Sequence, residues 1–175
     1  MFLQAGFQYR SMPNTWEVPY YGITLEVPIT EQFGLSGSVF FGEGSNGTDY
    51  LHLPVPGFFL FLIINTVFGF EPSTFQFLMV EDFHYYHRIN DNLWLSPYLN
   101  VLGADLGDIK GGKYEDKGHI LLTWGPGISL RTIYKRFTLA ADVGVKHFII
   151  DGKDDFGHHN QLGVNIGINL GVVLD

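Results

Sequence analysis

The chain has 175 residues, of which 46% are hydrophobic and 16% aromatic, with a formal net charge of -8 at pH 7. This length indicates one domain over residues 1–175, the apolar content excludes a disordered chain, and the acidic balance excludes a nucleic-acid partner, because phosphate binding needs clustered Lys and Arg. The 22 glycines and 16 phenylalanines are typical of a thin-walled barrel with aromatic girdles and small inward-facing residues.

Apolar and polar residues alternate along most of the chain, and a period of two residues is the signature of a β-strand. The last strand is the most regular, because large aliphatic residues from Leu162 to Leu174 alternate with glycine and asparagine. The pattern predicts eight strands, at residues 3–10, 21–30, 33–42, 75–88, 93–101, 120–131, 137–146 and 162–174.

The charged residues at the strand centres fall on the face that carries the glycines. In a soluble eight-stranded barrel the inward face would be apolar and the outward face charged. Here the polarity is inverted, which favours a wall between lipid on the outside and a narrow polar lumen.

Short and long connections alternate between the predicted strands. Tight polar turns lie at residues 31–32, 90–91 and 135–136. The connections between them are long, and we place these at residues 11–19, 44–74, 105–118 and 151–160. Outer-membrane barrels show this asymmetry between short periplasmic turns and long surface loops.

With this alternation, the sequence resembles the small eight-stranded bacterial outer-membrane β-barrel family over nearly the whole chain, through pattern and without a diagnostic motif. The resemblance implies an all-β, antiparallel, up-and-down transmembrane barrel, a porin-like membrane protein of the cell envelope. It also implies location in the bacterial outer membrane and pairing of the first strand with the last.

The interior of an eight-stranded barrel is only wide enough to be filled by side chains. Charged residues on the inward face are therefore expected to form ion pairs with one another, so that the lumen is a plug and not a pore. This predicted lumen charge network consists of Arg10, Glu26, Asp82, His84, Arg88, Arg131, Asp142 and Lys146.

An apolar insert at residues 45–73 interrupts the pattern on the long-loop side between the third and fourth strands. As a helix, residues 58–70 would be about 20 Å long, too short for the ~30 Å hydrocarbon core. We expect a helical insert that either packs on the barrel rim as a lid or contacts lipid or a partner through Phe58, Phe59, Phe61, Leu62 and Ile63. Residues 50–55 also alternate, so two extra strands, ten in all, are the alternative.

The side chains with catalytic chemistry do not form a recognisable site in the sequence. Asp82 and His84 fall on the inner face and His87 on the other, so the two histidines cannot share a metal from a regular strand. The inward serines are ordinary lumen lining. We therefore assign no catalytic residue, no metal and no cofactor. Trp94 lies near a strand end, where interface-anchoring aromatics are expected.

Two functions follow from these patterns. The first is a structural or interaction barrel at the cell surface whose partners are membrane lipid and, through its loops, lipopolysaccharide or a surface protein. The alternative is a lipid-modifying outer-membrane enzyme or a narrow transporter of small apolar compounds, with a cavity lined by Asp82, His84, Tyr98 and Arg131.

Overall fold

The computed structural model of the chain describes residues 1–12, 16–44, 49–54, 80–109, 117–150 and 159–174. Within these ranges no helix is long and apolar enough to cross a membrane. The described residues form ten strand segments: β1 (Phe2–Met12), β2 (Trp16–Pro28), β3 (Phe33–Glu43), β4 (Asp49–Pro54), β5 (Asp82–Tyr85), β6 (His87–Arg88), β7 (Leu93–Ile109), β8 (Lys117–Tyr134), β9 (Phe137–Ile150) and β10 (His159–Val173).

The strands pair antiparallel in a closed ring. β1 lies between β2 and β10, with Phe2 opposite Glu26 on one side and Val173 on the other. β10, β9, β8 and β7 follow in order, and β3 pairs with β2 to complete the circuit. In the described part of the chain the ring has eight wall positions and no free edge, which confirms the predicted all-β barrel.

The fourth wall position is made of three short segments, and residues 49–54 in it differ from both predictions made for residues 45–73. β4 pairs with β3 and β7 in the half of the wall nearer the long connections, and β5 pairs with the same two strands in the other half. Residues 49–54 therefore belong to the wall, and not to an insert or to two additional strands. Their alternation of inward and outward side chains suits a wall strand, and Pro54, which has no N–H, ends it.

Pro54 lies opposite Gly103 of β7, and Asp82 lies opposite Asn100. The two described parts of this wall position, which end at Pro54 and begin again before Asp82, thus approach each other near mid-height. The predicted lipid-contacting residues 58–63 and the predicted strand residues 75–79 lie outside the described ranges.

The connection between β1 and β2 is shorter than predicted. The two strands stay paired as far as Met12 and Trp16, so only residues 13–15 separate them, where we predicted a link over residues 11–19. On the opposite side of the barrel the turns are tight. The Ile29 amide donates to the Phe33 carbonyl oxygen at 2.8 Å, and Lys135 adopts a φ of 57° in the β8–β9 turn.

The exposed face of the barrel is apolar and the enclosed face is polar. Along β10, Ile166 and Leu170 are 53% and 62% exposed, whereas Asn165 and Asn169 are 2% and 6% exposed. Arg10, Glu26 and Asp105 are at most 1% exposed. The barrel therefore keeps the inverted polarity that the sequence predicts.

Candidate functional site in the barrel interior

A cluster of charged side chains fills the middle of the barrel. We call it the central network, and it consists of Arg10, His52, Glu81, Asn100, Asp105 and Lys146. Arg10 Nη1 donates to Asp105 Oδ1 at 2.8 Å, and Lys146 Nζ donates to Glu81 Oε1 at 3.2 Å. Asn100 Nδ2 donates to the same Glu81 oxygen at 2.8 Å. Four wall positions thus meet through side chains.

His52 lies between the two acids of this network and is fully buried. Its Nε2 is 2.9 Å from Glu81 Oε1, so Nε2 carries a proton that it donates to the carboxylate. Its Nδ1 is 2.9 Å from both Asp105 Oδ1 and Arg10 Nη1. A protonated Nδ1 donates to the acid and an unprotonated one accepts from the guanidinium, so either form of the ring has partners.

Two neighbouring residues, Glu81 and Asp82, both reach inward. Asn100 Nδ2 donates to Glu81 Oε1 and, at 2.9 Å, to Asp82 Oδ1. A regular strand would place adjacent side chains on opposite faces, and Glu81 precedes the first residue of β5. Irregular pairing continues in β7, where the register with β8 shifts between Asn100 and Gly103. The break in the wall therefore lets two carboxylates enter the lumen at one level.

A glycine gives this cluster its space. A Cβ atom on Gly103 would lie 2.7 Å from His52 Cε1 and 2.7 Å from Thr123 Oγ1. Both distances are too short for a real Cβ contact, and both neighbours are buried. Gly103 is thus required for the close approach of β4 and its histidine to the neighbouring strands.

A second group of side chains lies nearer the tight turns. We call it the turn-side network, and it consists of Gln4, Glu26, Tyr86 and Arg131. Arg131 Nη1 donates to Glu26 Oε1 at 2.6 Å, and Nη2 donates to Oε2 of the same carboxylate. The Tyr86 hydroxyl donates to Oε1 at 2.7 Å and Gln4 Nε2 donates to Oε2 at 3.2 Å. Glu26 therefore has four donors, and the bidentate pair joins β2 to β8 across the lumen.

His84 contacts two serines and does not form a catalytic triad. Its Nε2 lies 2.9 Å from Ser36 Oγ and its Nδ1 lies 3.2 Å from Ser96 Oγ. Ser36 in turn donates to Asp82 Oδ2 at 3.2 Å. In a triad the acid orients the histidine, whereas here the acid contacts the serine. The contact between acid and histidine that a triad needs is therefore not made by these described residues.

The space that remains between the two networks is small and polar. It is a cavity of about 40 Å³ whose lining includes Glu81, Asp82, Asp142 and Lys146. A single water needs roughly 10–15 Å³ of such volume, so the cavity has room for a few waters and not for an organic substrate.

Seven of the eight residues predicted for the lumen charge network lie in the interior. Asp142, for example, accepts a hydrogen bond from Asn169 Nδ2. Arg88 is the exception, and its assignment to the lumen was wrong. Its side chain is 54% exposed and pairs with Asp91 at 2.5 Å, because Arg88 is the last residue of β6 and only two residues before the turn at Asn90.

Sequence reasoning missed three titratable members of the central network: His52, Glu81 and Asp105. His52 lies in a strand that we assigned to an insert, and Asp105 lies in a part of β7 that we assigned to a loop. For His52 a signal was available in the sequence, because Tyr50, His52 and Pro54 alternate with leucines. Glu81 breaks the alternation of its own segment, which gave no indication of its direction.

Trp94 is also placed differently from the prediction of an interface anchor. It faces the lumen, where it lines a cavity of about 210 Å³ at the tight-turn end together with Tyr86 and Arg131. Arg88 lies over the Trp94 ring, with 5.7 Å between its guanidinium carbon and the ring centroid. The period of two residues explains this placement, because Ser96 and Tyr98 of the same strand also line interior cavities.

No family model matches this chain, and no curated protein matches it. Among solved structures, it is similar to a de novo designed transmembrane β-barrel, at 12% identity over 98% of this chain and 95% of that one, with a TM-score of 0.46. It is also similar to the N-terminal β-barrel domain of Pseudomonas aeruginosa OprF, at 13% identity over 96% of each chain, with a TM-score of 0.45.

A third similar structure is the NanC porin, at 10% identity over 98% of this chain and 100% of that one, with a TM-score of 0.35. All three TM-scores are below 0.5, so these likenesses do not identify a function for this chain.

Proposed function

We propose that this chain spans the bacterial outer membrane as a closed β-barrel with a side-chain-filled lumen, and that its role at the cell surface is structural or interactive. The observation that supports this proposal is the inverted polarity of the wall. Large aliphatic residues cover the outside, and buried charges fill the inside. In water this apolar surface would be exposed to solvent, whereas in a membrane the lipid acyl chains would cover it.

The two networks argue against a channel. Arg10, Glu81 and Lys146 meet at mid-height, and Glu26 with Arg131 crosses the lumen closer to the tight turns. An ion would have to displace hydrogen-bonded charged groups at two levels. We therefore expect the protein to bind its partners through its lipid-facing wall and its surface connections. The partner class is lipid, lipopolysaccharide or a surface protein.

A substitution on the outward face tests membrane insertion. Ile166 is 53% exposed, and Ile166→Lys in a lipid-facing barrel should destabilise folding by about 2–4 kcal/mol near the bilayer midplane. In a soluble barrel the same exposed change should be within about 0.5 kcal/mol. Ile89→Lys is the matched control, because Ile89 is 51% exposed but lies at a tight turn.

The assay is refolding in detergent and in detergent-free buffer, followed by circular dichroism and heat-modifiable gel mobility. Strand-rich, heat-modifiable protein in detergent alone, with Ile166→Lys impaired and Ile89→Lys unaffected, would support the proposal. A monodisperse β-protein in plain buffer that tolerates both substitutions would contradict it. In planar bilayers we expect no steady conductance from the folded protein.

A second candidate function is a narrow transporter of small apolar compounds, and the 210 Å³ cavity at the tight-turn end favours it. Transport would require a path from this cavity past the turn-side network. Uptake of a small aromatic compound into liposomes that carry the protein, compared with liposomes that lack it, is the direct test.

A further inference from the structure

The permanent charges inside the barrel do not balance. Among the described residues, the interior holds three permanent cations and five carboxylates: Arg10, Arg131, Lys146, Glu26, Glu81, Asp82, Asp105 and Asp142. This leaves an excess of two negative charges in a space where an uncompensated charge is strongly unfavourable. Two histidines, His52 and His84, are buried in the same interior, and a protonated histidine can supply the missing positive charge.

Of these two histidines, His52 has the geometry of a charged ring. Its Nε2 lies 2.9 Å from Glu81 Oε1 and its Nδ1 lies 2.9 Å from Asp105 Oδ1. The two ring nitrogens of His84 instead lie against serine hydroxyls. An imidazolium donates from both nitrogens, whereas a neutral ring donates from one. A position between two carboxylates therefore suits the imidazolium form of His52.

Arg10 gives the ring an alternative partner, because its Nη1 is also 2.9 Å from His52 Nδ1. A neutral ring accepts a hydrogen bond from Arg10, but the Nδ1 lone pair then also faces the Asp105 carboxylate. Arg10 does not depend on this bond, since its Nη1 donates to Asp105 at 2.8 and 3.0 Å and its Nη2 donates to Gln8 at 2.9 Å. Nδ1 thus changes its partner from Asp105 to Arg10 when the ring loses its proton.

The surroundings of His52 exclude bulk water. The rings of Tyr20 and Phe40 lie with their centroids 6.5 and 6.4 Å from that of His52, and all three residues are fully buried. The charged and titratable groups around the ring are Arg10 of β1, Tyr20 of β2, Glu81 before β5 and Asp105 of β7, with Lys146 of β9 and Asp82 of β5 on the far side of Glu81 and Asn100. Because water cannot screen these groups, a change in the charge of His52 acts on them directly.

We propose that His52 is a pH-sensitive switch that links the two parts of the fourth wall position. As an imidazolium, it holds the short strand β4 to Asp105 of β7 and to Glu81 beside β5. Loss of the proton removes the side-chain contact between His52 and Asp105, which are also directly paired in the β4–β7 ladder. The wall is tight at acidic and neutral pH and looser at alkaline pH. This pH control goes beyond the proposed structural role.

The first test uses the wild-type protein, folded in detergent and checked by gel mobility. Histidine rings are labelled with ¹⁵N, and His52 is identified by nuclear Overhauser contacts with the rings of Tyr20 and Phe40. At about pH 8 an ordinary histidine, with a pKa of about 6.5, is neutral. We expect both nitrogens of His52 to be protonated there. A His52 ring that is protonated at Nε2 alone would overturn the proposal, as would a ring that keeps both protons up to about pH 10.

The second test compares the stability of the wild-type protein with that of His52→Gln. Glutamine retains an N–H group that can donate to Glu81, but it has no proton to lose in this range. Between about pH 7 and 8 the unfolded chain has largely released the histidine proton that the folded barrel holds. The unfolding equilibrium constant of the wild type should therefore rise about 10-fold more per pH unit than that of His52→Gln.

His87→Gln is the matched control, because His87 lies in β6 with an exposed side chain and its replacement should preserve the pH dependence of the wild type. Equal pH dependence in the wild type and His52→Gln would overturn the proposal, and so would an equal loss of pH dependence in both variants.

Amide exchange of the wild-type protein supplies a third readout, which remains decisive if His52→Gln does not fold. Protection of the β4 amides is compared with protection of the β10 amides across the pH range in which the ¹⁵N spectra show His52 losing its proton. We expect protection to fall in β4, which has six residues, and to persist in β10, which has 15. Constant protection of β4 across that range would overturn the role of His52 as a switch.

Discussion

Replacing Glu26, the carboxylate of the turn-side network, by glutamine should destabilise the barrel. Glu26 is 1% exposed and accepts four hydrogen bonds, two from Arg131 and one each from Tyr86 and Gln4. Glutamine keeps the shape and one acceptor oxygen, but its NH₂ group would face an Arg131 donor. The substitution therefore leaves a guanidinium buried without its counter-charge.

Breaking a buried ion pair in this way costs about 3–5 kcal/mol. With a urea dependence of about 2 kcal/mol per M, a loss of ~4 kcal/mol lowers the unfolding midpoint by about 2 M. The assay is equilibrium unfolding of Glu26→Gln and the wild-type protein in the same detergent or lipid, followed by tryptophan fluorescence and heat-modifiable gel mobility.

Asp91→Asn is the matched control for this measurement. Asp91 also pairs with an arginine, Arg88, but the two side chains are 91% and 54% exposed. Exposed pairs contribute only about 0–1 kcal/mol, so the midpoint of Asp91→Asn should stay close to that of the wild-type protein. A Glu26→Gln midpoint within experimental error of the wild type, or an equal loss in Asp91→Asn, would refute the reasoning and show that water reaches the Glu26–Arg131 pair.

Gly103→Ala should destabilise the barrel by about 1–3 kcal/mol through overpacking, because the added Cβ would lie 2.7 Å from His52 Cε1; Gly167→Ala, whose nearest neighbour would be 3.2 Å away, should cost less in the same urea titration. In lipid bilayers, brominated acyl chains should quench Trp124, which is 45% exposed on the outer face, and should quench Trp94 less, because Trp94 lines the lumen. Single-tryptophan variants distinguish the two signals, and equal quenching would contradict the inward placement of Trp94.

The strand pattern was sufficient to predict the barrel because a period of two residues fixes which side chains share a face. Along β10 every residue from Leu162 to Leu170 keeps this alternation in the structure. The ends of strands were less predictable. Pairing of β1 with β2 continues to Met12 and Trp16, where the sequence no longer alternates clearly between apolar and polar residues.

The sequence predicted which residues line the interior, but not which of them pair with one another. Period two places Glu26 and Arg131 on the inner face, but their bidentate pairing joins residues 105 positions apart and depends on barrel register, which the pattern does not specify. Glu81 was not predictable as an inward residue, because it lies outside regular strand structure, directly before β5. The alternation places Arg88 on the inner face, but it lies so close to the turn at Asn90 that its side chain extends into solvent.

The position of the central network follows from the break in the fourth wall position. β4 has six residues and β5 has four, so neither forms a long hydrogen-bonded ladder with its neighbours. His52 of β4 contacts Glu81 beside β5 at 2.9 Å, and Glu81 also contacts Asn100 of β7 and Lys146 of β9.

These contacts join the two parts of the interrupted wall to each other and to strands across the lumen. The buried charges thus link the two parts of the wall position across the interruption between Pro54 and Asp82. A barrel with an uninterrupted fourth strand could replace the same cluster by apolar side chains of similar volume without loss of stability. In this chain, removing Glu81 would remove the side-chain contacts that link His52 of β4 to the residue beside β5 and to Lys146, so we interpret the central network as an architectural element of the wall.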